Sequence, residues 1–225
     1  MEIVANAIHL ALVENGAARW TNAKQGQGAI ALDLTDAHLI GADFRDFNLA
    51  NCNLRGATLI GANFRSATLM GADLSGANLN GANFHQANLR QTNLNGAQLR
   101  RASLCEADLQ GAHLNQADLS EATLHGAELI RAYLYQANLS NSDLSGVHFN
   151  GSYLAGANLR NANLRQADLR QTQLHHADFS GATLTEAVLR YAQMQGVILD
   201  AAQLSRIDDW GAVGMKIPSS QQEKG

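Results

Sequence analysis

The sequence predicts an all-β solenoid, and three observations predict it. From Leu34 to Leu204 every fifth residue is large and apolar, thirty-five centres in unbroken register, of which five are Phe and one is Met. Two positions before each centre the residue is small in nearly every unit, Ala in twenty-six of the thirty-five. Two positions after each centre, Gly fills fourteen of the thirty-five slots, among them Gly71, Gly76 and Gly81. A fixed period sustained over most of a chain marks a repeat array rather than a globule. A period of five matches neither the strand period of 2 nor the helix period of 3.6. A strand would send alternate centres to opposite faces, and a helix would smear them over its whole surface. The pattern is consistent with a chain that turns once per unit, so that every centre points to one axis. Glycine suits such frequent turning because it tolerates positive φ.

Each unit therefore offers one large inward residue, one small one beside it, and three positions that face water. The small slot is filled otherwise by Leu32, Phe47, Cys52, Thr92, Ser142, Val147, Ser152, Thr172 and Val197. The position just before each centre is mostly Asn, Asp, Thr, Gln or His. Its acids, such as Asp73, Asp118 and Asp178, read as short acceptors for nearby turn backbone rather than as catalytic groups.

The stretch ADLSGANLNGANFHQANLR over residues 72–90, and the units in phase with it, resemble the pentapeptide-repeat family, whose motif is A(D/N)LXX. The resemblance covers residues 32–206. It implies a right-handed quadrilateral β-helix with four units per coil, hence roughly nine coils and a rod of about 42 Å. It also implies that residues twenty apart stack, so that Phe44, Phe64 and Phe84 form one inward ladder. An interior filled in this way leaves no channel and no ligand cavity.

The two ends differ from the rod. Residues 1–31 read as a short N-terminal α-helical cap. Ile3, Val4, Ala7, Ile8 and Ala11 make one apolar stripe, and Asn15-Gly16 is a stop signal. A cap is needed because an open β-helix exposes unpaired strand edges. Residues 207–225 read as a C-terminal cap, with Ile207, Trp210, Val213 and Ile217 over the last coil, followed by a disordered tail from residue 218.

Composition narrows the function classes. The formal net charge is −4, and within the repeat fifteen acids face twelve Arg, which gives no field for steering nucleic acid. No apolar run approaches the roughly 18 residues of a membrane span. The start of the chain lacks the basic segment of a signal peptide. Cys52 falls in the inward slot and Cys105 in an outward one, too far apart along the rod for a disulfide, as suits a reducing compartment. The expected location is cytoplasmic.

No catalytic motif is present, so the chain reads as a non-enzyme without cofactor or small-molecule substrate. One outward column, taken every twenty residues, runs Arg45, Arg65, His85, Cys105, His125, Ser145, Arg165, Thr185. His85, Cys105 and His125 are zinc-ligand types, but their backbones spread over two strand spacings, about 9.6 Å. They read as metal candidates or as solvated polar residues. With Arg170 and Arg190 on a neighbouring column, Arg45, Arg65, His85, His125 and Arg165 form a candidate partner-binding face. Ile40 and Ile60 share a column near the start and read as contacts of the N-terminal cap or as a partner groove. Ser120 is expected to face outward.

Two function classes remain. One is a protein-interaction scaffold, monomeric or an end-to-end dimer, with a protein partner of unknown identity. The other is a DNA-mimicking modulator of a type II topoisomerase such as gyrase, which the resemblance also implies. The mimic requires an acidic surface, and the twelve Arg in outward slots weaken that reading.

Overall fold

The computed structural model describes residues 32–200 and Gln203. The expected helical leader over residues 1–31 and the expected C-terminal segment 207–225 lie outside the described residues. Within them, every β-bridge is parallel and joins a residue to the one twenty positions later, from Asp33–Asn53 to Asp178–Ile198. Four five-residue units therefore make one coil. We number the four faces by their centres: face 1 from Leu34, face 2 from Leu39, face 3 from Phe44 and face 4 from Leu49. The residue before each centre lies mid-face, and the two after it lie on the corner leading to the next face.

A hydrogen-bond account of one unit explains the motif. The N–H of Leu34 donates to Asn53 O of the next coil at 2.7 Å, and that of Asp36 donates to Arg55 O at 2.8 Å. Asn53 N–H donates back to Leu32 O at 2.8 Å. Ala37 N–H closes a β-turn onto Leu34 O at 3.1 Å. One donor per unit remains, on the residue just after the centre. Where Asp or Asn precedes the centre, its side-chain oxygen two residues back accepts that bond, as in Ser75 N–H to Asp73 Oδ1 at 2.9 Å and His85 N–H to Asn83 Oδ1 at 3.0 Å. Buried or half-buried backbone donors need partners, and an Asp or Asn before the centre supplies this last one. Asp118 and Asp178 bind Ser120 N–H and Ser180 N–H in the same way, so these acids serve the turns.

The third residue of each turn has positive φ in every unit from Asp36 to Gly196. Glycine occupies fourteen of these positions, as in Gly81 with φ of 67°, and non-glycine residues hold the other nineteen. Left-handed backbone costs an L-residue about 1–2 kcal/mol. It persists because the N–H of that residue is tied to the coil above, as in Gln86 N–H to Cys105 O at 3.0 Å. None of the nineteen is β-branched. A branched Cβ is the side chain least compatible with this region.

The core is a solid column. Every centre from Phe44 to Phe179 is 0% exposed, and the small slots beside them are buried apart from the half-buried Ala42. Phe44, Phe64 and Phe84 form the expected ladder, with centroids 4.9 and 4.7 Å apart and planes within 4°. Ser142, Ser152 and Thr172 occupy small slots without cost because each hydroxyl donates to a turn carbonyl at 2.6 Å. No buried side-chain nitrogen or oxygen among the described residues lacks a partner. Ser120 departs from expectation at only 9% exposure. Arg100, on the coil below, reaches up to Glu121, immediately beside the serine.

Candidate functional site

With the interior filled, chemistry is confined to the outer faces. A shallow depression of about 250 Å³ lies near the C-terminal end, lined by Gly181, Thr183, Leu184, Thr185, Asp200 and Gln203. Its one carboxylate already accepts Gly181 N–H at 2.7 Å, and Gln203 Nε2 donates to Phe179 O and Ala182 O at 2.7 and 2.6 Å. These groups satisfy the backbone at the end of the rod.

The candidate partner-binding residues fall on two corners bordering face 4. Arg45, Arg65, His85, His125 and Arg165 line the corner from face 3, and Arg170 and Arg190 line the corner towards face 1. Between them, mid-face, run Asp108, Glu128, His148 and Asp168. The two rows are thus brought to one face, but several members are already engaged. Arg45 pairs with Asp43 at 2.5 Å and Arg170 with Asp168 at 2.5 Å. Arg90 on the same corner pairs with Asp108 at 3.2 Å, and His148 Nδ1 lies 2.8 Å from Glu128. Arg190 sits over the Tyr191 ring, 4.9 Å from its centroid.

His85, Cys105 and His125 do stack in one column, yet they do not converge. Cys105 Sγ lies 3.9 Å from Thr123 O, and His125 Nδ1 lies 3.0 Å from Ser145 Oγ. Among the described residues no group of three or more His, Cys, Asp or Glu is placed to hold a metal ion. Cys52 and Cys105 are not joined in a disulfide. No helix among the described residues is long and apolar enough to cross a membrane.

Several carboxyls sit below their usual range. Burial opposes ionisation of Asp168, but hydrogen bonds from Arg170 and Asn150 outweigh it. Hydrogen bonds from Arg100 and Arg101 hold Glu121 low, and that from Arg45 does the same for Asp43. A lowered folded value adds stability above the unfolded carboxylate pKa of about 4, which is lost as pH falls through the folded value. The melting temperature is therefore expected to drop in acid, below about pH 4, and to drop less in Asp168→Asn. A pH profile unchanged by that substitution would contradict the assignment.

The sequence reading passes over one feature. His113, Tyr133 and Tyr153 stack on face 1, with centroids 4.8 and 4.9 Å apart. Their signal is the same twenty-residue spacing that predicts the phenylalanine ladder.

Comparison with known proteins agrees with this geometry. The model of the pentapeptide repeats family matches in overlapping segments spanning residues 33–206. The chain belongs to the pentapeptide-repeat family. No curated protein matches it closely enough to count as a relative. Among solved structures it is similar to HetL, a pentapeptide repeat protein involved in heterocyst differentiation regulation, from the cyanobacterium Nostoc sp. strain PCC 7120. That match has 32% identity and a TM-score of 0.64, covering 80% of this chain and 84% of HetL. It is also similar to trypsin-treated QnrB1, a plasmid-mediated fluoroquinolone resistance protein, at 19% identity and a TM-score of 0.60, covering 82% of this chain and 90% of that one. Both are right-handed β-helices, the class expected from the repeat.

Proposed function

We propose that the chain is a non-enzymatic scaffold, a cytoplasmic rod that presents its flat faces to a protein partner. The observation that carries this reading is the solid interior. Each centre from Phe44 to Phe179 is fully buried against its neighbours, so side chains available for recognition point outward. Repeat rods of this kind recognise partners over extended surfaces. The likeness to HetL, a protein involved in regulating differentiation, supports a regulatory role. Of the candidate contact residues, Arg65, His85, His125, Arg165 and Arg190 are not held in ion pairs with the rod's own acids. Immobilised protein is expected to retain a specific protein from a lysate of the cells that make it, with weaker retention by Arg190→Glu. Retention of no protein, at any salt concentration, would overturn the scaffold reading.

The alternative is a DNA mimic acting on gyrase, raised by the likeness to QnrB1, which at 19% identity speaks for the fold alone. Duplex DNA carries one charge per roughly 1.7 Å, so a rod of about 42 Å needs about 25 carboxylates to match it. The repeat has fifteen acids. Arg or His already pairs with Asp43, Asp108, Glu121, Glu128, Asp168 and Asp178. The expected result is no inhibition of gyrase supercoiling at micromolar protein. Stoichiometric inhibition that fades steeply with added salt would restore the mimic.

A further inference from the structure

Face 1 differs in charge from the other three. From Arg90 onward its mid-face column reads Asn93, His113, Tyr133, Tyr153, Gln173, Gln193. Neither this column nor its two bordering corners carries an Asp or Glu up to Gly196, whereas the nine acids of that stretch all lie on the remainder of the surface. All four tyrosines of the chain gather here. Tyr133 and Tyr153 lie mid-face, and Tyr135 and Tyr191 lie on the two corners. Tyr135 and Tyr191 are 50% and 52% exposed, so they are open to a partner. Arg90, Arg131, Arg170 and Arg190 line the corner shared with face 4. Arg90 and Arg170 lean back to Asp108 and Asp168, while Arg131 has no ion-pair partner among the described residues.

The arrangement of the rings decides what this face can bind. Tyr133 has His113 on one side at 4.8 Å and Tyr153 on the other at 4.9 Å, nearly parallel to it. Its ring faces are spent on its neighbours, and the ladder presents ring edges and phenol hydroxyls outward. Ring edges are the positive side of the aromatic quadrupole, and phenol hydroxyls donate hydrogen bonds. Arginine donors and Gln and Asn amides surround them. With no carboxylate to compete, the face suits a partner rich in anionic acceptors.

We infer that face 1 docks an acidic, extended segment of a protein partner along the rod axis, an assignment that rests on the scaffold reading. The column from Asn93 to Gln193 spans five coil spacings, roughly 24 Å, which matches about seven residues of extended chain. Tyr and Arg are the side chains that most often dominate protein interfaces. A nucleic acid fits less well. Base stacking needs free ring faces, and those of Tyr133 are covered. A long polyanion would also pass the acids of the other faces, whereas a short acidic segment avoids them.

The test uses the full chain and a fluorescein-labelled octaglutamate peptide at low salt. Saturable binding at one peptide per chain is expected. Arg131→Glu with Arg190→Glu should weaken it at least tenfold. Tyr133→Phe with Tyr153→Phe keeps the ring ladder, removes its hydroxyls and should weaken binding about threefold. Arg101→Glu with Arg160→Glu, on the diagonally opposite corner, should change it less than twofold. Equal weakening by both charge reversals would show diffuse attraction and overturn the assignment. Tighter binding of a twenty-nucleotide oligothymidine, abolished by Arg131→Glu with Arg190→Glu, would overturn it in favour of nucleic acid. No peptide binding by a chain that still retains a protein from lysate would sink the acidic-segment assignment and leave the scaffold reading standing.

Discussion

Leu124→Arg is expected to destabilise the rod by about 3–5 kcal/mol, the cost of a buried charge without a partner. Leu124 is 0% exposed, and its neighbours along the axis, Leu104 and Leu144, are 0% exposed as well. The small slots nearby, Ala122 and Ala127, are also buried and offer no acceptor. An arginine there cannot reach water without opening a coil. In a solenoid each coil contacts only its neighbours, so the break falls mid-rod and uncouples the two halves. Thr123→Arg places the same charge one residue away, on an exposed mid-face position bridged to Asp143 on the next coil. That variant should shift stability by under about 0.5 kcal/mol. Ser120 would be a poor control, because it is only 9% exposed. Denaturant unfolding of the two variants reads the difference, and equal shifts would show that the inward assignment is wrong.

What the sequence reveals follows from what its period encodes. A strict spacing of five makes the inward set legible residue by residue, and Leu124, Phe64 and Cys52 are all buried as read. The number of units per coil is not in the period itself. It came from the family resemblance, and the bridges from Asp33–Asn53 onward establish it. Once twenty residues per coil is known, axial neighbours such as Phe44 and Phe64 follow. Diagonal pairs such as Arg90–Asp108 and Arg160–Asp178 do not, because long side chains choose among several acceptors within reach. The left-handed turn residues were legible only where Gly marks them. Arg101 and Glu121 adopt φ of 58° and 59° against their own preference because hydrogen bonds between coils impose it. Ser120, only 9% exposed in an outward slot, shows that slot position predicts direction while exposure depends on the side chains around it. The tyrosine ladder shows the opposite case. His113, Tyr133 and Tyr153 stand twenty apart, so the coil period alone places them in one stack.

Phe64→Ala is expected to cost about 3–5 kcal/mol, the range for removing a buried aromatic ring. The ring lies between Phe44 and Phe84, at 4.9 and 4.7 Å, with planes tilted by 4° and 2°. Truncation leaves a void inside a column that coil-to-coil hydrogen bonds hold at fixed height. Phe64 N–H donates to Asn83 O at 2.6 Å, and Asn63 N–H donates to Ala42 O at 2.9 Å. The coils on either side therefore cannot close onto the gap, and the cavity contribution is retained in full. Phe64→Leu makes the argument specific. Leucine is the residue at most inward positions, and Leu104 occupies the same column two coils above. It fills most of the volume but stacks with neither ring, so its cost should be nearer about 1 kcal/mol. Denaturant unfolding of the two variants separates the contributions. A large loss in Phe64→Leu would mean that ring stacking, rather than volume, holds this end of the rod. A small loss in Phe64→Ala would mean that the coils can collapse after all, and that the backbone ladder is softer than its hydrogen bonds indicate.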